Sequence, residues 1–200
     1  MDEKVELMEG LGSMSEESVY RIWVHGTSVQ MEREGYFISK QRTGNGTIFR
    51  THNDEWFHFS IPNADIFGMP SDIFNTPMSY AFYGYPYIPR LKKIYVLYKT
   101  TLTTKIKEVS VVDGQKIIKT FWGDKWGDHS HILDQGNTWD VGSVCVDRGL
   151  GISVHVDFGP ANNVGVPEIV FISAGAEFEL GGSSSIVLKE TDNGEVIIDG

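Results

Sequence analysis

Apolar and other side chains alternate residue by residue in two segments, and this pattern constrains the fold more than any other feature of the chain. In residues 55–61 (EWFHFSI), Phe57, Phe59 and Ile61 point to one side of a strand, and the residues between them point to the other. Residues 151–158 (GISVHVDF) repeat this pattern. Such alternation is typical of strands that bury one face and expose the other.

Other β-rich segments follow one another along the chain and are separated by turn sequences. The clearest hairpin lies at residues 107–119, where Asp113 and Gly114 stand between two β-rich runs. No segment repeats its apolar residues at the spacing of an amphipathic helix. Short strands at close intervals, together with 22 glycines, predict an all-β chain folded as an antiparallel β-sandwich of jelly-roll type. The further predicted strands are 20–25, 27–32, 36–40, 46–50, 94–101, 104–112, 115–121, 142–147, 168–173, 176–180, 184–190 and 194–198.

The chain divides into a short leader and one domain. Residues 1–17 are acidic and show little periodicity, so we expect a flexible leader, followed by a single β-sandwich domain over residues 18–200. Residues 62–93 break the strand pattern with five of the seven prolines and many aromatic residues. Their aromatic content argues against disorder. We expect an ordered excursion that covers the core, forms a subunit contact or contacts a ligand.

Charge and composition exclude several classes of function. The net charge of −10 disfavours binding to the phosphate backbone of nucleic acids. A single cysteine, Cys145, rules out a disulfide framework and a cysteine-rich zinc site. No apolar run is long enough to span a membrane, and the acidic start lacks a signal-peptide pattern. We therefore expect a cytoplasmic protein.

A candidate metal site lies between residues 128 and 134. His129 and His131 would project from the same side of a strand, and Asp134 follows shortly after them. Two imidazoles and a carboxylate bind zinc, iron or manganese, so this set predicts a divalent metal as cofactor. The preceding residues 122–127 have a loop-like sequence, in which side-chain directions are not predictable. The alternative is a solvated polar loop that binds no metal.

A candidate acid/base site lies on the polar faces of the two alternating strands. His58 and His155 each stand opposite an apolar row, and Asp157 shares the face of His155. If the two strands are neighbours, these side chains meet on one sheet face together with Trp56. A carboxylate beside an imidazole can raise the imidazole pKa and fix its tautomer, which suits a general base. The alternative is an exposed face with ordinary cross-strand pairs.

Aromatic side chains near polar residues form the candidate ligand site. Trp122 and Trp126 lie in a segment rich in Gly and Asp, and Tyr85 lies in the excursion at residues 62–93. Together with Trp56, these rings are suited to stack on sugars while nearby polar groups form hydrogen bonds. The alternative is that they close the ends of the sandwich.

Three functions are consistent with these features. Because no hydrolase, nucleotide-binding or zinc-protease signature is present, the first is a non-enzymatic module that binds a carbohydrate or another small polar-aromatic ligand. The second is a small metal-dependent or acid/base enzyme that acts on a small molecule. The third is a homo-oligomeric assembly protein, joined through edge strands or through the excursion.

Six short strings resemble those of a family of uncharacterised small microbial all-β proteins. They are VHGTSVQ from Val24, Gly46-Thr47, WFHF from Trp56 with Ile61-Pro62, Val112-Asp113-Gly114, GLGIS from Gly149 and FISAG from Phe171. The resemblance covers about residues 18–180. It implies a small single β domain, and no established activity or catalytic residue comes with it.

Overall fold

The computed structural model describes seven stretches of the chain, and these are almost entirely β-strand. They are residues 19–33, 38–62, 89–101, 103–160, 165–180, 187–190 and 196–199. The strands are β1 (Val19–His25), β2 (Gln30–Met31), β3 (Ser39–Thr43), β4 (Gly46–Arg50), β5 (Glu55–Ile61), β6 (Pro89–Thr101), β7 (Lys105–Asp113), β8 (Lys116–Lys125), β9 (Asp128–His129), β10 (Thr138–Cys145), β11 (Leu150–Asp157), β12 (Glu168–Leu180), β13 (Val187–Glu190) and β14 (Val196–Asp199). A 3-10 turn at Gly26–Ser28 follows β1. No helix in the described stretches has the length and apolar character needed to cross a membrane.

The strands form two large antiparallel sheets and one small hairpin. Sheet A has the order β10-β6-β12-β4-β3, with β1 also paired to β12 and β9 to β6. Sheet B has the order β2-β5-β11-β7-β8, and β13 pairs with β14 apart from both. The expectation of an all-β antiparallel sandwich is confirmed, whereas the jelly-roll connectivity stays a prediction.

The core lies between the two sheets and is built from aromatic rings that the alternation places inward. Phe49 and Phe171 come from sheet A, and Phe57 and Phe59 come from sheet B; all four are at most 1% exposed. The ring centroids of Phe49 and Phe57 are 4.6 Å apart, and Phe171 lies 5.0 Å from Phe57 and 5.4 Å from Phe59. Each buried ring contributes about 1.5–3 kcal/mol through removal of apolar surface from water.

Several predicted boundaries were wrong. Residues 168–180 form one strand, β12, where the sequence pattern predicts two. β6 begins at Pro89, so residues 89–93 of the predicted excursion belong to a strand. β8 runs to Lys125, so part of the segment at residues 122–127 is strand and not loop. Residues 63–88 of the excursion and the predicted leader lie outside the described residues.

One edge of β12 is shared by two strands that lie end to end. β4 pairs with the first half of β12 and β1 with the second half, and Ile172 falls between the two ladders. At this junction a Cβ on Gly26 or Gly46 would overlap the carbonyl oxygen of Phe171. Gly46 also has a φ of 140°, which side-chain-bearing residues rarely adopt. The absence of side chains at both positions lets the two strands meet.

Candidate functional site

The two strands with the clearest alternation are neighbours, as the acid/base hypothesis requires. β11 pairs with β5 so that His155 lies opposite Trp56 and Ser153 lies opposite His58. The side chains next to them along each strand point into the core, so these four point outward on sheet B. The outer face of sheet B is therefore the surface on which the predicted residues are gathered.

Four side chains form a row across this face, which we call the aromatic row. The ring of Trp56 stacks on His155 at 4.8 Å between centroids and 15° between planes. His155 lies opposite Glu108 of β7, and Glu108 lies opposite Trp122 of β8. Trp122 is 76% exposed. With strands about 4.8 Å apart, the row extends roughly 14 Å from Trp56 to Trp122.

A second row, the polar row, runs parallel to the aromatic row and lies two residues away along the strands. Its members, in strand order, are Gln30, His58, Ser153, Ser110 and Thr120. Nδ1 of His58 and Oγ of Ser153 share a hydrogen bond of 2.9 Å, and the hydroxyls of Ser110 and Thr120 share another of 2.9 Å. The face thus presents aromatic surface beside a line of hydrogen-bonding groups.

A bulge in β7 puts Glu108 and Ile106 on opposite faces of sheet B. In the pairing with β11, the register shifts so that Lys107 is the extra residue and Ile106 opposes the next position. Ile106 consequently points into the core while Glu108 points outward, although strict alternation would put both on the same face. The Glu108 carboxylate accepts a hydrogen bond of 2.8 Å from Ser110, and no described residue forms an ion pair with it. Glu108 is 9% exposed, and Ser110 is its one hydrogen-bond donor among the described residues.

A cavity of about 520 Å³ adjoins the polar row. Its walls carry His58, Ser60 and Ser153 on one side and Val112 on the other. Gly151 lies between them at an outward position, where a Cβ would come within 2.7 Å of Val112. The glycine lets the Val112 side chain lie over this outward position in the middle of the sheet.

One end of this cavity is held by a buried carboxylate. Asp113 accepts backbone hydrogen bonds from Asp147 (3.1 Å), Arg148 (2.6 Å) and Gly149 (3.1 Å). Burial pushes the pKa of Asp113 upward, but these three N–H donors outweigh it and hold the pKa below its usual value. The Gly114 N–H adds a bond of 2.9 Å to the Gly149 carbonyl. The hairpin and the segment before β11 are thereby fixed to each other.

The three predicted acid/base residues share the face but have separate partners. His58 bonds Ser153, and Nε2 of His155 lies 3.8 Å from a carboxylate oxygen of Asp54. The Asp157 carboxylate instead lies 3.0 Å from the Lys107 ammonium. Burial raises the pKa of Asp157, but Lys107 and a backbone N–H outweigh it and lower the pKa overall. A catalytic role for this set stays a prediction.

The predicted metal residues do not converge. Nδ1 of His129 lies 2.8 Å from the Asp134 carboxylate, and Nε2 lies 3.1 Å from the Trp126 carbonyl. Both ring nitrogens of His129 therefore have partners within this loop. The bond to His129 is also the main cause that lowers the pKa of Asp134. In the described part of the chain, no three His, Cys, Asp or Glu side chains are grouped to hold a metal ion.

His131 lines a different cavity, on the outer face of sheet A. This cavity has a volume of about 510 Å³. Across it, the Lys99 ammonium lies 3.1 Å from the Asp128 carboxylate, which also accepts hydrogen bonds from Ser130. Ser130 first and Lys99 second lower the pKa of Asp128 to about 2. These charged and polar groups satisfy one another within the wall of the cavity.

The four aromatic residues that were predicted to bind a ligand do not all lie in the aromatic row. Trp56 and Trp122 both belong to the aromatic row. Trp126 is 64% exposed but lies in the connection from β8 to β9, away from the row. Tyr85 lies outside the described residues. Sequence reasoning missed Glu108 and the cavity at Gly151, because both depend on which strands are neighbours.

Comparison of the chain with protein-family models, with curated proteins and with solved structures finds no match. A function is therefore inferred from the geometry and chemistry of the outer face of sheet B.

Proposed function

We propose that this protein is a non-enzymatic binding module and that the outer face of sheet B binds an uncharged carbohydrate. The observation that carries the proposal is the aromatic row, with Trp122 76% exposed at one end and Trp56 stacked on His155 at the other. Aromatic side chains combine a large apolar surface with low conformational entropy. The C–H faces of sugar rings stack on such surfaces.

The polar groups of the face complement the hydroxyl groups of a sugar. Glu108 supplies acceptor oxygens in the middle of the aromatic row, because the hydrogen bond from Ser110 at 2.8 Å is the one that it accepts from the described residues. His58 and Ser153 supply groups that both donate and accept. A few placed polar groups beside apolar surface are typical of small-ligand sites.

The charges near the row favour a neutral sugar over an acidic one. Glu108 lies within the row, and the Asp54 carboxylate lies 3.8 Å from the His155 ring at its end. A uronic or sialic acid would bring a third negative charge to a surface where these carboxylates are only partly compensated. Neutral hexoses and pentoses bring none.

The test is a titration of neutral oligosaccharides followed by tryptophan fluorescence and calorimetry, with two matched variants. Trp122→Ala removes an exposed ring from the row, so affinity should fall at least about tenfold. Trp126→Ala removes an equally exposed ring outside the row and should leave affinity within about twofold. Equal losses in both variants, or no binding across a broad neutral panel, would contradict the proposal.

An acid/base enzyme is the second candidate, and one observation favours it. The hydroxyl of Ser153 and the imidazole of His58 are 2.9 Å apart at the rim of the 520 Å³ cavity. A base within hydrogen-bond reach of a hydroxyl is the basic arrangement of nucleophilic catalysis. Turnover of small ester or glycoside substrates that disappears in Ser153→Ala would favour this function over simple binding.

A further inference from the structure

We propose that the protein self-associates head to tail, with an exposed apolar loop of one copy seated in the cavity at Gly151 of the next copy. We call this loop, residues 126–133, the apolar tip; its large apolar side chains are Trp126, Ile132 and Leu133. The observation that supports the proposal is that the apolar tip and the cavity lie at opposite ends of β8. The proposal does not depend on sugar binding, so the two proposals fail separately.

The apolar tip exposes more apolar surface than an isolated surface residue does. Trp126 is 64% exposed, Ile132 74% and Leu133 37%, and all three lie in the connection that runs from β8 through β9 to β10. Keeping such side chains in water forgoes the stabilisation that their burial provides. Three of them in one short segment are typical of a surface that a partner covers.

A histidine and an asparagine hold the backbone of the apolar tip in one shape. The His129 ring lies 2.8 Å from the Asp134 carboxylate and 3.1 Å from the Trp126 carbonyl. The Asn137 side-chain amide, in a residue that is 0% exposed, donates to the carbonyls of His129 at 3.0 Å and Ile132 at 2.7 Å. Trp126 and Ile132 therefore project from backbone that is fixed by the loop itself.

Sheet A anchors the same loop. The Gly127 N–H donates to Thr100 Oγ1 at 2.8 Å, and the Thr100 N–H donates back to the Gly127 carbonyl at 2.9 Å. The Tyr98 hydroxyl donates to the Gly136 carbonyl at 3.2 Å. A loop that is ordered before it meets a partner loses little conformational entropy on binding, which favours its use as a contact surface.

The cavity at Gly151 offers the chemistry that a tryptophan side chain requires. Val112 gives its wall an apolar side chain, and Ser60 and Ser153 place hydroxyl groups there. An indole combines a large apolar surface with a single N–H donor, and a hydroxyl oxygen can accept that hydrogen bond. None of the described residues that line the cavity is Lys, Arg, Asp or Glu, so an entering apolar side chain buries no charge. Trp126 is therefore the side chain of the apolar tip that we place in the cavity.

One molecule cannot place its own apolar tip in its own cavity. The cavity adjoins the start of β8, because its wall residue Val112 pairs with Ile117, and the tip follows the end of β8 at Lys125. At about 3.3 Å per residue, the strand keeps the two roughly 25–30 Å apart. The contact therefore joins two copies. Because it uses a different surface on each copy, it leaves one tip and one cavity free for further copies.

Net charge determines the conditions in which this contact forms. Each copy carries a net charge of −10, so two copies repel each other at low ionic strength. Salt screens this repulsion but leaves an apolar contact intact. Self-association should therefore strengthen as salt is raised, which is the opposite of what a contact between unlike charges would show.

Sedimentation velocity of the full chain measures the association. The weight-average mass should rise above that of the monomer between about 10 and 500 μM protein, as expected for a small interface of modest affinity. At a fixed protein concentration, the mass should be larger in about 0.5 M than in about 0.05 M sodium chloride. A monomer under all these conditions would overturn the proposal.

Two variants and their mixture identify the contacting surfaces. Ile132→Asp puts a charge in the apolar tip, and Ser60→Tyr fills the cavity from the strand beside Gly151. Each variant alone should associate at least about tenfold more weakly than the natural chain. An equimolar mixture keeps one intact tip and one intact cavity, so it should form a dimer that grows no further. Ile38→Asp is the control, because Ile38 is 53% exposed but lies before β3, outside both surfaces, and this variant should associate like the natural chain.

Each result counts for or against the proposal. Association that survives either single variant, or that Ile38→Asp lowers equally, would place the contact elsewhere. A mixture that stays monomeric would show that the apolar tip does not meet the cavity. Binding to phosphatidylcholine vesicles that is lost in Ile132→Asp, by a chain that does not self-associate, would assign the tip to a lipid surface instead. If Ser60→Tyr lowers the melting temperature markedly, Val112→Phe fills the cavity from its opposite wall and carries the same expectations.

Discussion

Each large sheet carries a stacked tryptophan next to a buried glutamate on its outer face, and the two glutamates have different partners. On sheet A, Trp23 stacks on Tyr95 with centroids 5.4 Å apart, and Glu177 beside them is 4% exposed. On sheet B, Trp56 stacks on His155 at 4.8 Å, and Glu108 is 9% exposed. The residue types and the burial are similar, so the difference lies in the partners.

On sheet A the carboxylate is fully engaged by its own neighbours. Glu177 accepts hydrogen bonds from the Tyr95 hydroxyl at 2.5 Å and from Arg21 Nε at 2.7 Å, and the Lys93 ammonium lies 3.9 Å away. Burial raises the pKa of Glu177, but these partners outweigh it and lower the pKa overall. Trp23 covers Gly175, where a Cβ would collide with its ring. The Glu177 carboxylate is thus bonded by residues of its own cluster.

On sheet B the corresponding carboxylate is partnered by a single serine. Ser110 donates to Glu108 at 2.8 Å, and no cation from the described residues joins it. The tryptophan at the end of that row, Trp122, is 76% exposed, against 39% for Trp23. The comparison teaches that an aromatic ring beside a carboxylate indicates a candidate binding surface only where the carboxylate oxygens are not all bonded by neighbouring residues.

The largest expected difference concerns the two glutamates. Glu177→Gln should lower the free energy of unfolding by about 2 kcal/mol, because it removes a charged acceptor from a buried network. Glu108→Gln keeps an acceptor for Ser110 and should cost less than about 1 kcal/mol. Urea unfolding of both variants at pH 7 measures these values.

The pH dependence of the Glu177 effect provides the control. Because the folded-state pKa of Glu177 lies below the usual 4.5, its contribution is fully present above that value and is lost as the pH falls through the folded pKa. The stability gap between Glu177→Gln and the natural chain should therefore narrow in acid. A gap that stays constant down to pH 3 would show that packing, and not charge, causes it.

A smaller difference is expected between the two tryptophans. Trp23→Ala should destabilise the protein by about 1 kcal/mol, because it removes a ring stacked on Tyr95. Trp122→Ala should change stability by less than about 0.5 kcal/mol, since the ring is mostly exposed. Thermal unfolding compares them, and a larger cost for Trp122→Ala would mean that this ring is structural and would weaken the binding proposal.

The smallest effect tests whether sheet A takes part in binding at all. Trp23→Ala should leave the affinity for any sugar bound by the natural chain within about twofold, because Tyr95 and Arg21 already bond the Glu177 carboxylate beside this ring. Calorimetric titration of Trp23→Ala beside Trp122→Ala makes the comparison. Loss of affinity in the first variant and not in the second would move the site to the other sheet.

Local pattern was sufficient to predict the strands with one buried face. The alternation around Phe57 and Phe59 identified β5, and that around Val154 identified β11, with the correct inward sides. The single strand β12 was predicted as two because the small residues around Gly175 weaken the pattern there. Gly175 is explained by the distant Trp23, which packs over it, whereas Ala174 and Ala176 point into the core.

The candidate site was only partly predictable. Periodicity placed Trp56 and His155 on the outward side of their strands, and it predicted that they meet only if the two strands are neighbours. Trp122 was proposed as a ligand residue although it was assigned to a loop. Glu108 was missed although alternation from Val109 places it outward, because its position between His155 and Trp122 depends on which strands are neighbours. The order of the strands depends on pairings between distant segments, which a single sequence does not reveal.

The junction at Ile172 has a consequence for how the protein opens. The ladders of β1 and β4 stop on either side of this residue, and the pairing with β6 also shifts there, so β12 is joined to its neighbours as two blocks. Amide hydrogen exchange should be fastest at the break. The amides of the two blocks should be protected to different degrees, since each block can open locally without the other. We therefore expect a strand that is continuous in the chain to exchange its amide hydrogens as two units.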